Sequence, residues 1–162
     1  MDIISHALWS VTIVREKRLW GWAIFFGILP DIISTGVGIF YLFLKNGFFL
    51  KENWWLNLPN WSKSLYFLSH SLFGFLILFF IIFLFKKKFL VLTLPFGFHS
   101  LVDLLTHQND PLFRIFYPLF EYKEERVIGF NWWENFWIFF INIFLIILVN
   151  VLFLKIKKNN LA

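Results

Sequence analysis

The chain has no cysteine. Disulfides and thiolate metal sites are therefore excluded, and a metal would have to be held by histidine, aspartate, glutamate or backbone oxygen. Charge is scarce too. Asp, Glu, Lys and Arg make up 15% of the 162 residues, against roughly 25% in an ordinary soluble domain. Apolar residues take their place: 59% of the chain is hydrophobic, with 25 Phe and 9 Trp. The length suffices for one domain, 1–162, and a water-soluble fold of that size cannot hide so much apolar surface. The bilayer is the expected solvent, and lipid the expected partner.

The net charge of +5 reports topology rather than a nucleic-acid partner. The basic residues cluster at the ends of apolar runs: Arg15, Lys17 and Arg18; Lys86, Lys87 and Lys88; Lys155, Lys157 and Lys158. That is the positive-inside pattern, and no basic patch interleaves with a nucleic-acid recognition motif. The opening Met1-Asp-Ile-Ile-Ser-His6 lacks the basic region of a signal peptide, so retained apolar segments are expected to direct insertion.

The hydropathy pattern predicts an all-α, polytopic membrane helical bundle of about four spanning helices plus a short N-terminal helix. Residues 3–14 are apolar but too short to span, since a span needs about 20 residues. Residues 19–44 form a long run interrupted at Pro30-Asp31. Residues 45–64 are mixed and carry Trp54, Trp55 and Trp61, which suits the interface. Residues 65–85, 89–106 and 135–154 read as three further spans. Residues 107–131 read as a loop with one short interfacial helix. Its Glu121, Lys123, Glu124, Glu125 and Arg126 are expected to be solvated. With the basic clusters in the cytoplasm, the short helix descends to residues 15–18. The four spans then alternate, and the C-terminus is cytoplasmic.

Against this background the polar residues stand out. All four histidines lie in or beside apolar sequence, two of them in the run His99-Ser-Leu-Val-Asp103-Leu-Leu-Thr-His107. Ionisable groups at membrane depth are costly and normally face a protein interior or a wet cavity. A rise of 1.5 Å per residue puts His6 about 14 Å, Asp31 about 20 Å, His70 about 24 Å, His99 about 16 Å and Asp103 about 22 Å from the cytoplasmic turns, with His107 near 28 Å. Residues from four segments thus fall in one slab of a core about 30 Å thick. His99 and Asp103 share one helical face, and His107 follows four residues later. Pro30 and Pro95 each precede a candidate ligand, and broken helices at membrane depth generally line cavities. Each residue also has a plain structural role open to it. Asp31 could cap a helix, His70 could hydrogen-bond a neighbouring helix, and His6 and His107 could sit at an interface.

The ordered set Met1-Asp-Ile-Ile-Ser-His6-Ala-Leu-Trp, Leu29-Pro-Asp31, Ser69-His70-Ser71, His99 to His107 and Gly129-Phe-Asn-Trp-Trp133 covers nearly the whole chain. It resembles the YdjM-like membrane-bound metal-dependent hydrolase family, in particular its small bacterial members. The resemblance implies a bacterial inner-membrane protein with a metal-dependent hydrolytic site. The chain departs from the family pattern at Ile33, where many members carry a second acid, and at Leu65 and Tyr66, where many carry a His-Arg pair.

The residues predict a divalent metal, zinc first and manganese or iron as alternatives, held by His6, Asp31, His70, His99, Asp103 and His107. Asp31 and Asp103 are the candidate catalytic carboxylates, and Ser34 and Ser71 candidate neighbours of the ligands. The expected reaction is attack of metal-activated water on an ester or phosphoester of an amphiphilic or lipid-linked substrate. The alternative is a non-enzymatic bundle, transporter-like or scaffold, in which the same groups form a proton relay or polar network.

Overall fold

The computed structural model describes residues 1–47, 54–107, 114–119 and 136–159. Among these residues there is no β-strand. The helices in chain order are α1 (Ile3–Ile13), α2 (Trp20–Asp31), α3 (Val37–Asn46), α4 (Asn60–Ser69), α5 (Leu72–Phe85), α6 (Thr93–Thr106) and α7 (Phe136–Asn159). A π-helical turn over Ile32–Gly36 joins α2 to α3, and a 3-10 turn over Lys87–Leu92 leads into α6.

Three helical stretches are long and apolar enough to cross a membrane: Lys17–Lys45, Lys87–Thr106 and Phe136–Ile156. The α4–α5 pair passes the same test jointly, but its two halves meet at 70°. The apolar run expected to span over residues 65–85 is thus made of two helices that meet at a bend. The local cause is legible. Ser71 caps α5, accepting from the Gly74 amide at 3.0 Å and donating to the Leu68 carbonyl at 2.7 Å. A Cβ on Gly74 would collide with that same carbonyl oxygen, so only glycine lets the chain double back so tightly. The break falls on His70. Pro95, in contrast, sits in the first turn of α6, where a missing N–H costs nothing, and α6 runs on through it. The loop expected over 107–131 and the motif Gly129-Phe-Asn-Trp-Trp133 lie largely outside the described residues. Within that loop only Arg114–Leu119 can be followed, and Ile115 accepts from the Leu72 amide at 2.8 Å beside the break.

The bundle is apolar outside and polar inside. Side chains such as Phe80, Leu84, Phe140, Phe144 and Leu152 are exposed, while Ser5, His6, Ser10, Ser34, Ser62, Ser69, His70, Thr93, His99 and Asp103 are buried. Small residues make the seams, where they let the helix backbones approach closely. Gly27 of α2 lies against Ser10 of α1, and Gly38 of α3 against Ser62 of α4; a Cβ at either glycine would strike the facing serine. Ser62 Oγ also donates to the Ser34 carbonyl at 3.1 Å, across to the π turn.

The last helix docks on α1 by hydrogen bonds. Asn142 accepts from Trp9 Nε1 at 2.8 Å and donates to Ser5 Oγ at 3.0 Å, and Asn150 donates to Thr12 Oγ1 at 3.0 Å. With buried Ile146 between them, these asparagines form an i, i+4, i+8 stripe on one face of α7. Arg15 closes the same seam by stacking over Phe153, 3.2 Å from the ring centroid.

A double-mutant cycle with Trp9→Phe and Asn142→Leu should return a coupling of about 0.6 kcal/mol and at most about 1.7 kcal/mol, the range found for hydrogen bonds between membrane helices. The readout is unfolding of the purified protein in detergent, and additive single effects would remove the Asn142–Trp9 bond from the account of α7 docking.

Candidate metal centre

Four of the residues singled out in the sequence meet at one point. Asp31, His70, His99 and Asp103 each offer a donor atom, and the four atoms lie within 4.8 Å of one another. The π turn begins one residue after Asp31, the α4–α5 break turns His70 inward, and successive turns of α6 present His99 and Asp103. His70 and His99 are fully buried, as is Asp103 at 1% exposure. The Asp31 side chain is 27% exposed and forms the rim.

The inter-atomic distances have a pattern. His70 Nε2 is 3.3 Å from Asp31 Oδ1, 3.7 Å from Asp103 Oδ2 and 3.1 Å from His99 Nε2. His99 Nε2 is 3.2 Å from Asp103 Oδ2 and 3.7 Å from Asp31 Oδ1. A tetrahedral ion with bonds of about 2.0–2.1 Å has donor–donor edges of about 3.3 Å. The five distances between these atoms, 3.1–3.7 Å, lie near that edge, while the group as a whole spans up to 4.8 Å.

The backs of the two imidazoles fix which nitrogen faces the centre. His99 Nδ1 lies 2.7 Å from the Gly27 carbonyl oxygen, and His70 Nδ1 lies 3.1 Å from the Tyr66 carbonyl oxygen. A carbonyl only accepts, so in neutral rings both Nδ1 atoms carry the proton and both Nε2 atoms carry a lone pair. Two lone pairs and two carboxylates then face one another, an arrangement that favours a cation at their centre. Ser69 Oγ, 3.0 Å from His70 Nδ1, and the Tyr66 ring, stacked on His70 at 4.0 Å, add to the support. Ser69 also reaches the Pro30 carbonyl at 3.2 Å, which links His70's support to the turn that bears Asp31.

His6 and His107 fall outside this group of four. His6 is buried and stacks on His99 at 3.7 Å between centroids, but its Nε2 points to Asp103 Oδ1 at 3.0 Å, and its Nδ1 has no partner among the described residues. His107 leaves α6 at its C-cap and places Nδ1 3.4 Å from the same Oδ1. The Met1 nitrogen shares that oxygen at 2.5 Å and also contacts Thr106 Oγ1 at 3.0 Å. Asp103 therefore has two occupied faces, Oδ2 toward His70 and His99 and Oδ1 toward His6 and His107.

Sequence reasoning misassigned the helpers. Ser34 Oγ is engaged with the Pro30 carbonyl at 2.5 Å and Ser71 with the α5 cap, so neither touches a ligand. Ser69, Tyr66 and the Gly27 carbonyl do the holding. Ser69 had a usable signal, its place directly before a histidine in an apolar stretch. The carbonyls had none, because their roles depend on how helices cross. Of the positions that depart from the family pattern, Leu65 points outward at 36% exposure, while Tyr66 packs on His70.

Ser69→Ala should weaken divalent-metal binding by about 10–100-fold, the usual effect of removing an outer-shell partner of a ligating histidine. Competition titration against a chelating dye reads this, and an unchanged affinity would assign Ser69 to helix packing alone.

Comparison of the chain with family models, with curated proteins and with solved structures returns no match, so its chemistry rests on the geometry of this centre.

Proposed function

We propose that the protein is a multi-pass membrane metal-dependent hydrolase of the YdjM-like kind, acting in a bacterial inner membrane on an ester or phosphoester of an amphiphilic or lipid-linked substrate. The observation that carries the reading is the meeting of His70 Nε2 and His99 Nε2 at 3.1 Å, with both Nδ1 atoms committed to carbonyls and two carboxylates alongside. Two imidazoles and two carboxylates suit zinc first, with manganese or iron as alternatives. When bound, such an ion supplies a Lewis acid that brings the pKa of a water toward neutrality.

The chain's own residues divide the remaining work. Gly27, Tyr66 and Ser69 hold the two imidazoles in register. Asp103 neutralises charge from the buried side. Asp31, on the rim, is the carboxylate that water can reach, and it is placed to accept a proton during hydrolysis. An apolar cleft of about 530 Å³ runs between α5 and α6, lined by Leu72, Phe75, Leu94, Gly97, Leu101 and Ile115. Ser71 and Ser100, the sequence neighbours of His70 and His99, also line it. A greasy tail lying there would bring a polar head close to the centre, which favours an amphiphilic substrate.

The four protein donors also favour a second reading. Structural zinc sites are closed by four ligands, whereas catalytic ones keep a position open. On that reading the ion only staples α2, α4 and α6 together, and the protein is a non-enzymatic bundle.

Purified protein should carry stoichiometric divalent metal, and His70→Ala or His99→Ala should lose it. Chelation should abolish cleavage of bis-p-nitrophenyl phosphate or of an acyl p-nitrophenyl ester in detergent micelles. Asp31→Asn should slow that cleavage by about 10²–10⁴-fold, the usual worth of a general base. A metal-free wild type would sink the whole reading, while a metal-loaded protein inert toward both probes would leave the staple.

The basic clusters favour a topology with the Lys86–Lys88 turn and the C-terminus in the cytoplasm and the Trp54–Asn57 turn outside. α1, at 11 residues and about 16 Å, is too short to cross. Because the chain has no cysteine, single replacements can be labelled without background. Lys87→Cys should react with an impermeant maleimide only when the cytoplasmic face is open, and Leu56→Cys from the outside of intact cells. Labelling of both from one side would overturn this arrangement.

A further inference from the structure

We propose that the cleft between α5 and α6 seats one acyl chain of a lipid, and that Ser100 Oγ donates to the neutral carbonyl at which that chain joins its head group. This inference deepens the amphiphilic-substrate reading above and rests on it for the placing of the head group at the metal centre.

Ser100 differs from the other buried serines. At 4% exposure it is enclosed, yet its Oγ has no hydrogen-bond partner among the described residues. The others all donate to a protein oxygen, as Ser10 does to the His6 carbonyl at 2.6 Å and Ser62 to the Ser34 carbonyl at 3.1 Å. A helical serine commonly bonds the carbonyl four residues back, which here belongs to Phe96, and Ser100 does not. Buried hydroxyls are normally paired. Ser100 lines the α5–α6 cleft, so the acceptor it lacks belongs to what the cleft holds.

The rest of the lining says what carries that acceptor. Leu72 and Phe75 of α5 face Leu94, Leu101 and Leu104 of α6, and no charged residue lines the cleft among the described residues. Ser71, its other hydroxyl, is committed to the α5 cap. An unpaired charge buried there is expensive, which disfavours a phosphate and favours a neutral acceptor. The volume of about 530 Å³ falls within the range of about 300–1,000 Å³ typical of small-molecule sites. From Leu94 to Leu104 the wall runs about 15 Å along α6, a shape that suits a chain. Leu72, Leu94 and Leu101 are 46%, 51% and 55% exposed, so the cleft opens sideways, the direction from which a lipid enters.

Ser100 directly follows His99 and lies about 100° further round α6. His99 faces the centre and Ser100 the cleft. A lipid with its head at the centre and its tail in the cleft passes the junction of the two across Ser100. In an acyl ester that junction carries a carbonyl oxygen, a strong neutral acceptor. In a dialkyl ether it carries a weaker one, and in a polyprenyl phosphate it is the charged phosphate itself. The substrate class thus narrows to acyl lipids, with Ser100 as a positioning residue.

The test is calorimetric titration of the full chain in detergent micelles with dioleoyl phosphatidylglycerol and with its dialkyl ether counterpart, under a chelator so that turnover does not intervene. Wild type should bind the diacyl lipid about 2–10-fold more tightly than the ether, the usual worth of one hydrogen bond. Ser100→Ala should bring the diacyl lipid down to the ether level and leave the ether unchanged. Leu101→Trp, which narrows the open side of the cleft, should weaken both. Equal affinities in the wild type, a preference that survives Ser100→Ala, or tighter binding of undecaprenyl phosphate than of the diacyl lipid would overturn the proposal. Should Ser100→Ala fail to fold, the wild-type comparison decides alone. The metal reading fails separately: a wild type purified without metal that keeps the acyl preference leaves the cleft standing, and a metal-loaded protein without that preference leaves only the centre.

Discussion

Two imidazole nitrogens 3.1 Å apart, each ring with its other nitrogen turned to a carbonyl, set the constraint around which this bundle is built. In neutral rings lone pairs at that distance repel, and Asp31 and Asp103 add negative charge to the same point. In a hydrocarbon surround such a group is expensive unless a positive charge sits within it. The helices that supply the donors must each hold their side chain against that repulsion. That is why both rings are locked from behind by Gly27, Tyr66 and Ser69.

The irregular parts of the fold follow from the same requirement. A regular helix through residues 60–85 would run past the centre. The break at His70, made by the Ser71 cap and the room at Gly74, turns the histidine inward and frees backbone groups that are then re-satisfied locally. The π turn after Asp31 does the corresponding work on α2, as single π turns at functional sites often do. Irregular backbone inside an apolar bundle is tolerated only where protein or water covers it, and here both irregularities adjoin residues of the centre. The serine and glycine seams bring α1, α2 and α4 near enough for their donors to meet.

Asp103 and Asp31 occupy contrasting positions. Asp103 is enclosed and shared, with partners on both oxygens; Asp31 is on the rim, within reach of water. Asp103 is thus the more constrained of the two carboxylates and Asp31 the more accessible. The apolar cleft between α5 and α6 is bordered by Ser71 and Ser100, the sequence neighbours of His70 and His99.

The sequence by itself determined the helical class, the membrane-length apolar runs and a set of six candidate ligands that contains the four converging residues. Each of these is a local property: apolar run length, the i, i+4 relation of His99 and Asp103, and the cost of a charge in an apolar run. Depth along a helix could also be counted from the basic turns, which put Asp31, His70, His99 and Asp103 in one slab. Rotation about the helix axes could not be counted. Only the tertiary structure separated His6 and His107 from the four, because which oxygen of Asp103 they meet depends on how α1 packs and where α6 ends. The same holds for Ser69 over Ser71, for the Gly27 and Tyr66 carbonyls, and for Asn142 reaching Trp9. These contacts join residues far apart in the chain, and their geometry is set by how closely small residues let helices approach.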